Sequence, residues 1–268
     1  MKKILSLTLT LVLLLGLCCG IASAAGVNVY VTISDKDGKL VLVQEKISVT
    51  DIDNDGKITI NDALYCAHES KYSGGAAAGY ASATSDWGLS LTKLWGTENG
   101  GSYGYYVNNT AAMSLTDEVK DGAYLTAFVY TDLTAWSDTY SYFDKNTAAI
   151  KAGDTVGITL NSLGFDASYN TVVSPVEGAT ILINGKAADV KTDANGKASF
   201  KIDAAGTYTI SAKSDSMTLV PPVLVVTATA ASDGAPKTAD TMTVTLLGAI
   251  AVLSFGAVVI TRRRSAEA

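Results

Sequence analysis

The sequence has few cysteines, and this scarcity limits how the protein can be stabilised. Two of its three cysteines, Cys18 and Cys19, lie within the first 24 residues, so the rest of the chain retains only Cys66. A lone thiol forms no intramolecular disulfide. Rigidity must therefore come from extensive β-sheet or from a bound metal ion.

The single histidine argues against an enzyme. His68 is followed directly by Glu69, whereas the helix of a metalloprotease carries two histidines four residues apart. Cys66 and His68 are two positions apart on a predicted helix, where their side chains diverge and cannot act as a nucleophile and its base. We expect Cys66 to be a buried thiol and His68 to lie at the surface. We predict no catalytic residues.

Long apolar runs occur only near the two ends of the chain. The first, in residues 1–24, follows Lys2 and Lys3 and ends in Ala22-Ser23-Ala24. A basic start, an apolar core and small residues at the end are the three parts of a secretory signal peptide. We expect cleavage after Ala24, in preference to an uncleaved membrane helix.

The second run spans residues 242–261 and is followed by three arginines within residues 262–268. About 20 apolar residues are enough to cross the hydrocarbon core of a bilayer, and a basic tail stays on the cytoplasmic side. We therefore predict a transmembrane helix over residues 242–261 with a short cytoplasmic tail, so that the segment between the two apolar runs works outside the cell.

Positive charge is scarce in that segment. Without residues 1–24 and 239–268, the chain has 15 Lys and Arg against 24 Asp and Glu, a net charge of about −9. An acidic surface repels nucleic acid and favours divalent cations. We expect no nucleic-acid binding.

The hydropathy pattern predicts a mainly β fold with an α+β first domain. Residues 27–33 and 40–43 read as strands on either side of an Asp-Gly turn, and residues 61–71 read as a short helix. Short strands with closely spaced turn signals follow residue 170, a pattern typical of a β-sandwich. Residues 74–79 are small and are predicted to form a loop.

The segment from Asp51 to Asp62 carries the strongest chemical signal. Carboxylates occupy positions 1, 3 and 5, Gly56 allows the sharp turn at position 6, and position 12 is again an aspartate. This spacing curls oxygen ligands around Ca²⁺, with a backbone carbonyl sufficient at position 7. The alternative is a solvated acidic turn. We predict a structural calcium site whose ligands are Asp51, Asp53, Asp55, Lys57 (through its carbonyl) and Asp62.

Aromatic residues concentrate between residues 87 and 143 of a chain that has 13 Tyr and three Trp. Tyr and Trp combine an apolar face with a polar edge, which suits them to binding sugars, corrinoids or partner proteins. The alternative is that these residues alternate along strands and fill the core. The predicted ligand-binding residues are Trp95, Tyr103, Tyr105, Trp136 and Tyr140.

The C-terminal region resembles the cell-wall sorting signals of Gram-positive surface proteins. Their usual pattern is Leu-Pro-x-Thr-Gly (LPXTG), and here the corresponding residues are Ala235, Pro236, Lys237, Thr238 and Ala239, followed by the apolar run and the basic tail. The resemblance implies that a sortase cuts after Thr238 and joins the chain to the cell wall. Without that reaction, the same segment anchors the protein in the membrane.

Three further resemblances concern the exported domains. Residues 104–108 and 119–124 (Gly-Tyr-Tyr-Val-Asn and Val-Lys-Asp-Gly-Ala-Tyr) resemble the C-terminal domain of transcobalamin and intrinsic factor, which implies a β-grasp-like, soluble-ligand-binding fold over residues 25–170. The loop at residues 51–62 is similar to dockerin and EF-hand loops. Residues 171–228 resemble bacterial Ig-like modules of the invasin type, which implies a stalk, and residues 229–241 are a spacer with the sorting motif.

These observations predict an anchored surface protein that binds a ligand or partner without catalysis. One alternative is capture of a small molecule, such as a corrinoid (cobalamin) or a glycan, for uptake. Another is an adhesin or structural surface protein that recognises other proteins.

Overall fold

The computed structural model describes residues 26–86, 88–168 and 170–231, which form 17 strands and two helices. This confirms the predicted mainly β fold. The strands are β1 (Val27–Ser34), β2 (Leu40–Val49), β3 (Ala81–Ser85), β4 (Gly88–Lys93), β5 (Tyr103–Val107), β6 (Thr110–Ala111), β7 (Tyr124–Val129), β8 (Thr139–Phe143), β9 (Thr147–Lys151), β10 (Thr155–Phe165), β11 (Thr171–Pro175), β12 (Thr180–Ile183), β13 (Lys186–Lys191), β14 (Lys197–Lys201), β15 (Gly206–Lys213), β16 (Leu219–Val220) and β17 (Leu224–Thr229), and the helices are α1 (Ile60–Lys71) and α2 (Gly75–Gly79).

Several predictions concern residues outside these ranges. The signal peptide, the spacer beyond residue 231, the sorting motif, the helix at residues 242–261 and the basic tail all lie outside the described residues. Among the described residues, neither helix has the length and apolar character needed to cross a bilayer.

Residues 26–138 form what we call the first lobe. Its five-stranded sheet has the order β2-β1-β7-β5-β6, in which the central pair β1–β7 is parallel and the other pairs are antiparallel. The helix α1 packs against β1 and β2, and β3 and β4 form a separate hairpin. Because strand side chains alternate, Val29, Val31 and Ile33 of β1 share one fully buried face of the sheet.

The start of α1 is determined by its capping residues. Thr59 is the N-cap, and its hydroxyl accepts a hydrogen bond from the Asp62 backbone N–H at 3.3 Å while the Asp62 carboxylate accepts one from the Thr59 N–H at 2.7 Å. This reciprocal capping box satisfies two backbone donors that a helix start leaves unpaired. The predicted β1–β2 hairpin and the predicted helix are thus confirmed, whereas residues 75–79 form the short helix α2 instead of a loop.

Residues 139–231 form the second lobe, a β-sandwich. One sheet has the order β11-β10-β8-β16, with β14 also paired to β10, and the other has the order β13-β12-β15-β17-β9. Their inner faces share one apolar core, in which Leu160, Ile181, Ile210, Leu224 and Val226 are completely buried. This is how two antiparallel-rich sheets bury their apolar faces against each other.

The sandwich includes more of the chain than we predicted. The predicted boundary between residues 170 and 171 falls within the β10–β11 hairpin, in which Phe165 pairs with Thr171. Moreover, β9 pairs with β17, and Val156 and Ile158 of β10 lie in the sandwich core. Residues 139–165 therefore belong to the second lobe, because their strands pair with strands that follow much later in the sequence.

A small apolar cluster joins the two lobes. Phe128 of β7 packs with Tyr140, Leu163 and Val220 of the second lobe, and all four are buried. Tyr106 of β5 stacks on Tyr140 with ring centroids 3.7 Å apart. The first sheet is consequently covered on both faces, by α1 and its surroundings on one side and by the second lobe on the other.

Candidate functional site

The predicted calcium loop follows β2 and leads directly into α1. Its backbone curls because Asn54 and Gly56 both have positive φ angles, of 60° and 88°. The Asp51 carboxylate holds the curl closed by accepting hydrogen bonds from the backbone N–H groups of Asp55 at 3.2 Å and Gly56 at 2.9 Å. Gly56 suits this position because glycine tolerates positive φ.

The curl brings three of the predicted ligands together. Asp51, Asp53 and Asp55 each direct a carboxylate oxygen to a common region, with these oxygens all within 4.8 Å of one another. Burial, followed by the charges of Asp55 and Asp62, raises the pKa of Asp53. Three hard oxygen donors at this spacing fit a Ca²⁺ ion, which takes six to eight oxygens.

Asp62 is placed differently from the other carboxylates. It is completely buried, and its two oxygens accept hydrogen bonds from the backbone N–H groups of Ile52 and Thr59 and from the Thr59 hydroxyl. Asp62 therefore closes the loop onto the start of α1. Lys57, whose carbonyl is the fifth predicted ligand, directs its ammonium away to Glu118, at 3.3 Å.

A neighbouring segment fixes the second half of the loop. The Ile58 carbonyl accepts a hydrogen bond from the Val119 N–H at 2.9 Å, and the Ile60 N–H donates to the Asp117 carbonyl at 3.0 Å. Ile58 itself is buried in the core of the first lobe. The loop is thus tied to the chain just before β7, in addition to its links to β2 and α1.

Three of the five predicted ligand-binding aromatics contact the core of the first lobe. Trp95, Tyr103 and Tyr105 are partly buried and pack against it. The Tyr103 hydroxyl accepts a hydrogen bond from the Asn99 N–H at 2.7 Å and faces the Thr92 and Thr97 carbonyls. Burial raises the pKa of both tyrosines. These contacts serve the packing of the lobe.

Tyr140 does not contribute to an exposed binding surface, contrary to our prediction. Only 4% of it is accessible, its ring stacks on Tyr106, and its hydroxyl donates to the Asn109 side chain at 2.9 Å. Burial raises its pKa and also raises that of Tyr106, to about 12. The prediction failed because the second lobe, which covers this residue, is assembled from distant parts of the chain.

Trp136 is the predicted aromatic that remains exposed, with 61% of its surface accessible. It lies in the loop of residues 131–138, which we call the Trp136 loop, and has a φ of 49°. Its indole N–H donates to the Ser102 hydroxyl at 3.3 Å. Leu133 in the same loop is also exposed. An indole that makes one polar contact among the described residues and is mostly exposed is available to a ligand.

Two aspartates organise the Trp136 loop. The buried Asp138 carboxylate accepts hydrogen bonds from the Thr131 N–H, the Thr131 hydroxyl and the Asp132 N–H, at 2.7–3.0 Å. Asp132 in turn accepts from the Ser137 hydroxyl and from the N–H groups of Ala135 and Thr134, and these bonds lower its pKa to about 2. The loop is therefore held in shape by charge-assisted bonds. Neither residue was among the predicted functional residues, although their spacing in a polar loop was a signal.

His68 is completely buried, and the prediction that it lies at the surface is wrong. Its Nδ1 lies 2.6 Å from the Leu64 carbonyl, and its Nε2 accepts a hydrogen bond from the Trp95 N–H at 3.0 Å. Nδ1 is therefore the protonated nitrogen of a neutral ring, and burial lowers the pKa. Cys66, predicted to be buried, is partly exposed. The predicted burial of these two residues is reversed because the face of α1 that carries Leu64 and His68 packs on the sheet.

Two short letter patterns of serine hydrolases occur in the first lobe. Residues 100–104 read Gly-Gly-Ser-Tyr-Gly, and residues 90–93 read Ser-Leu-Thr-Lys. Both nitrogens of His68 are engaged with backbone groups elsewhere, so it offers no base to Ser102. Ser90 and Lys93 lie three apart on strand β4, which directs their side chains to opposite faces. Neither pattern forms a nucleophile and its base.

The predicted sorting residues Pro236, Lys237, Thr238 and Ala239 lie outside the described residues. No protein-family model matches the chain, and no curated protein matches it. Among solved structures, the chain is similar to the four N-terminal Ig domains of Dscam1 isoform 4.44, with 11% identity and a TM-score of 0.22. That match covers 56% of this chain and 32% of the Dscam1 chain, and so low a TM-score does not establish a shared fold.

Proposed function

We propose that this chain is an anchored surface protein of a Gram-positive bacterium that binds a ligand or partner without catalysis, and that a structural Ca²⁺ ion stabilises its first lobe. The observation that carries the binding proposal is the Trp136 loop. It presents an exposed indole on a backbone held by Asp132 and Asp138. A rigid aromatic contributes contact area at little cost in conformational entropy.

The strand order supports a β-grasp-like first lobe and an Ig-like second lobe, with residues 139–165 in the second lobe. In the first lobe, a β1–β2 hairpin, a helix packed on the sheet and a parallel β1–β7 pair correspond to a β-grasp-like arrangement. The two-sheet packing of the second lobe agrees with an Ig-like stalk. Sortase processing at Thr238, or retention through residues 242–261, would then display both lobes outside the membrane.

The calcium proposal is supported by the convergence of Asp51, Asp53 and Asp55. The Lys57 carbonyl and the Asp62 carboxylate, at positions 7 and 12 of the same loop, would complete the ligand set. A bound ion would neutralise the mutual repulsion of the carboxylates and fasten β2 to α1. This ion would partly replace the disulfide bonds that the segment after residue 24, which retains only Cys66, cannot form within itself.

Removal of calcium tests this part of the proposal. Loops of extracellular modules bind Ca²⁺ with dissociation constants of roughly 0.1–1 mM, so 10 mM Ca²⁺ should raise the free energy of unfolding by about 1.4–2.7 kcal/mol. The measurement is urea unfolding in calcium and in chelator.

Matched variants give the control for calcium. The double variant Asp53→Asn/Asp55→Asn should lose the calcium-dependent stabilisation. Asp203→Asn/Asp215→Asn removes the same charge from exposed positions outside the loop and should keep it. Identical unfolding curves of the unsubstituted protein in calcium and chelator would contradict the site.

Ligand binding is tested on glycan and protein arrays, together with cobalamin. Binding that Trp136→Ala abolishes would support the Trp136 loop as the recognition surface. Co-elution of cobalamin colour with the protein on gel filtration would instead favour small-molecule capture for uptake. Binding to proteins but not to glycans or cobalamin would favour an adhesin, and full retention of binding by Trp136→Ala would contradict the proposed surface.

A further inference from the structure

A groove of about 800 Å³ lies between the two lobes. The first lobe contributes the β1–β2 turn and the start of β2, and the second lobe contributes β12, β15 and the segment before β17. A hydrogen bond from the Gln44 side chain to the Val223 carbonyl, at 3.3 Å, connects the lobes near this groove. Its volume falls within the range of small-molecule pockets.

The walls of the groove are largely apolar. The larger apolar side chains of its lining are those of Leu40, Val43, Leu182, Met217 and Leu219. Met217 is partly exposed in the structure, and Leu40, Val43, Leu182 and Leu219 are half-buried. These side chains are left without a complete apolar neighbourhood, and an apolar ligand would cover them.

Ser211 supplies an unusual polar group in this wall. The residue is only 5% accessible, and its hydroxyl oxygen is buried without a hydrogen-bond partner among the described residues. Ile210 beside it lies in the sandwich core, whereas Thr209 and Lys213, each two positions away along β15, line the groove, so alternation directs Ser211 to the groove face as well. A buried hydroxyl without a partner is costly, and a ligand atom would satisfy it.

The charge at the groove is positive, although the chain as a whole is acidic. Lys39 and Lys213 line it, and neither takes part in any ion pair among the described residues. The lining carboxylate, Asp37, is already paired with Lys36 at 2.8 Å. The two free ammonium groups therefore favour an anion at this position.

We infer that this groove binds a small amphipathic organic anion. The apolar body would lie against Leu182 and Met217, the anionic group would face Lys39 and Lys213, and a polar atom would bond to the Ser211 hydroxyl. The inference goes beyond the proposed function and is independent of the calcium loop. The groove shares only Thr131 with the Trp136 loop.

The test uses the full chain in lipid nanodiscs and 2-naphthoate as the probe, with its neutral counterpart 2-naphthamide. We expect calorimetric titration to show one saturable site for 2-naphthoate, with empty nanodiscs as the blank. The amide should bind roughly tenfold more weakly, because two partly exposed charge contacts are worth about that factor. No saturable binding, or equal binding of the two probes, would overturn the inference.

Three variants test whether 2-naphthoate binds in this groove. Lys39→Gln/Lys213→Gln should weaken 2-naphthoate binding about tenfold, whereas Lys120→Gln/Lys151→Gln, which removes the same charge at exposed positions outside the groove, should not. Ser211→Ala should weaken binding about fivefold without loss of stability, since it deletes a hydroxyl that has no hydrogen-bond partner in the described part of the chain. Unchanged affinity in both groove variants would exclude this location.

Trp136→Ala separates the two binding proposals. It should leave 2-naphthoate affinity unchanged, because Trp136 does not line the groove. If naphthoate binding persists in this variant while array binding is lost, the two sites are distinct. A loss of naphthoate binding in Trp136→Ala, with retention in the lysine variant, would overturn the groove assignment.

Discussion

The two lobes differ in the polar side chains that they bury. Among the described residues, buried carboxylates and an imidazole occur in the first lobe, whereas the buried polar residues of the second lobe are serine and threonine. In the second lobe, the strands alternate apolar and polar residues around a core of aliphatic side chains and two phenylalanines. In the first lobe, polar residues are buried with apolar ones, among them Asp62 and His68, and each bonds to the backbone of a connecting segment. The positions of the first lobe's connections therefore depend on individual polar side chains.

This difference places both proposed sites of the first lobe on its connections. The calcium loop is shaped by Asp51 and Asp62, and the Trp136 loop is shaped by Asp132 and Asp138. In the second lobe, short turns such as Asn184–Gly185 connect neighbouring strands directly. A rigid scaffold with organised loops is how many domains carry binding residues.

The strongest test of the comparison removes the contact that joins the lobes. Phe128→Ala should lower the free energy of unfolding by about 3–5 kcal/mol, because Phe128 is completely buried. All three tryptophans precede residue 139, so tryptophan fluorescence reports on the first lobe, whereas circular dichroism reports on both lobes. In urea, we expect the two transitions to coincide in the unsubstituted protein and to separate in Phe128→Ala.

Leu224→Ala provides the control for this experiment. Leu224 is also completely buried, but it lies in the sandwich core and not in the cluster between the lobes. It should destabilise the protein without separating the two probes. If Phe128→Ala shifts both probes together and by less than about 1 kcal/mol, the cluster does not couple the lobes.

A smaller effect is expected from acid and should originate in the first lobe. Burial lowers the pKa of His68 below its ordinary value of 6.5, and the ring is surrounded by Tyr72, Tyr80 and Trp95. Below about pH 6.5, the unfolded chain binds a proton that the folded lobe excludes. The free energy of unfolding should therefore be highest above this pH. As the pH falls further, it should decrease by at most about 1.4 kcal/mol per pH unit, until the pH reaches the pKa of His68 in the folded protein.

Urea unfolding between pH 7.5 and 5 measures this dependence. His68→Gln cannot take up the proton, so its stability should vary less with pH over this interval. Its stability at pH 7.5 should be lower, because the substitution disturbs the packing of a buried side chain. Parallel stability profiles for the two proteins would show that His68 is not responsible.

The smallest effect on stability is expected at Trp136. Trp136→Ala should change the free energy of unfolding by no more than about 0.5 kcal/mol, because the side chain is mostly exposed and has one side-chain hydrogen bond. Thermal or urea unfolding checks this directly. A loss well above 1 kcal/mol would mean that the indole supports the loop, and reduced array binding could then not be assigned to direct contact.

Local patterns predicted the elements whose cause is local. The Asp-Gly turn between β1 and β2, the helix α1 and the curl of the calcium loop all depend on residues within about a dozen positions of one another. The mainly β character also followed from alternation. By contrast, residues 139–165 were predicted to belong to the first domain, because nothing local shows that β9 pairs with β17.

The predicted sites divide in the same way. The convergence of Asp51, Asp53 and Asp55 was predictable because a single loop brings them together. The burial of Tyr140 and His68 was not, since it depends on which elements cover them. The groove lined by Lys39, Ser211 and Met217 had no signal in the sequence, because its walls come from segments that are distant in sequence.

By itself, the amino-acid sequence determined the acidic charge, the lack of a disulfide in the segment after residue 24, the two apolar runs and the residues able to turn, alternate or bind a cation. Only the tertiary structure decided which aromatic stays exposed, which histidine nitrogen carries the proton and where a groove forms between the lobes. The reason is physical: propensity and charge belong to residues and their near neighbours, whereas burial belongs to surfaces that meet only after the chain has folded.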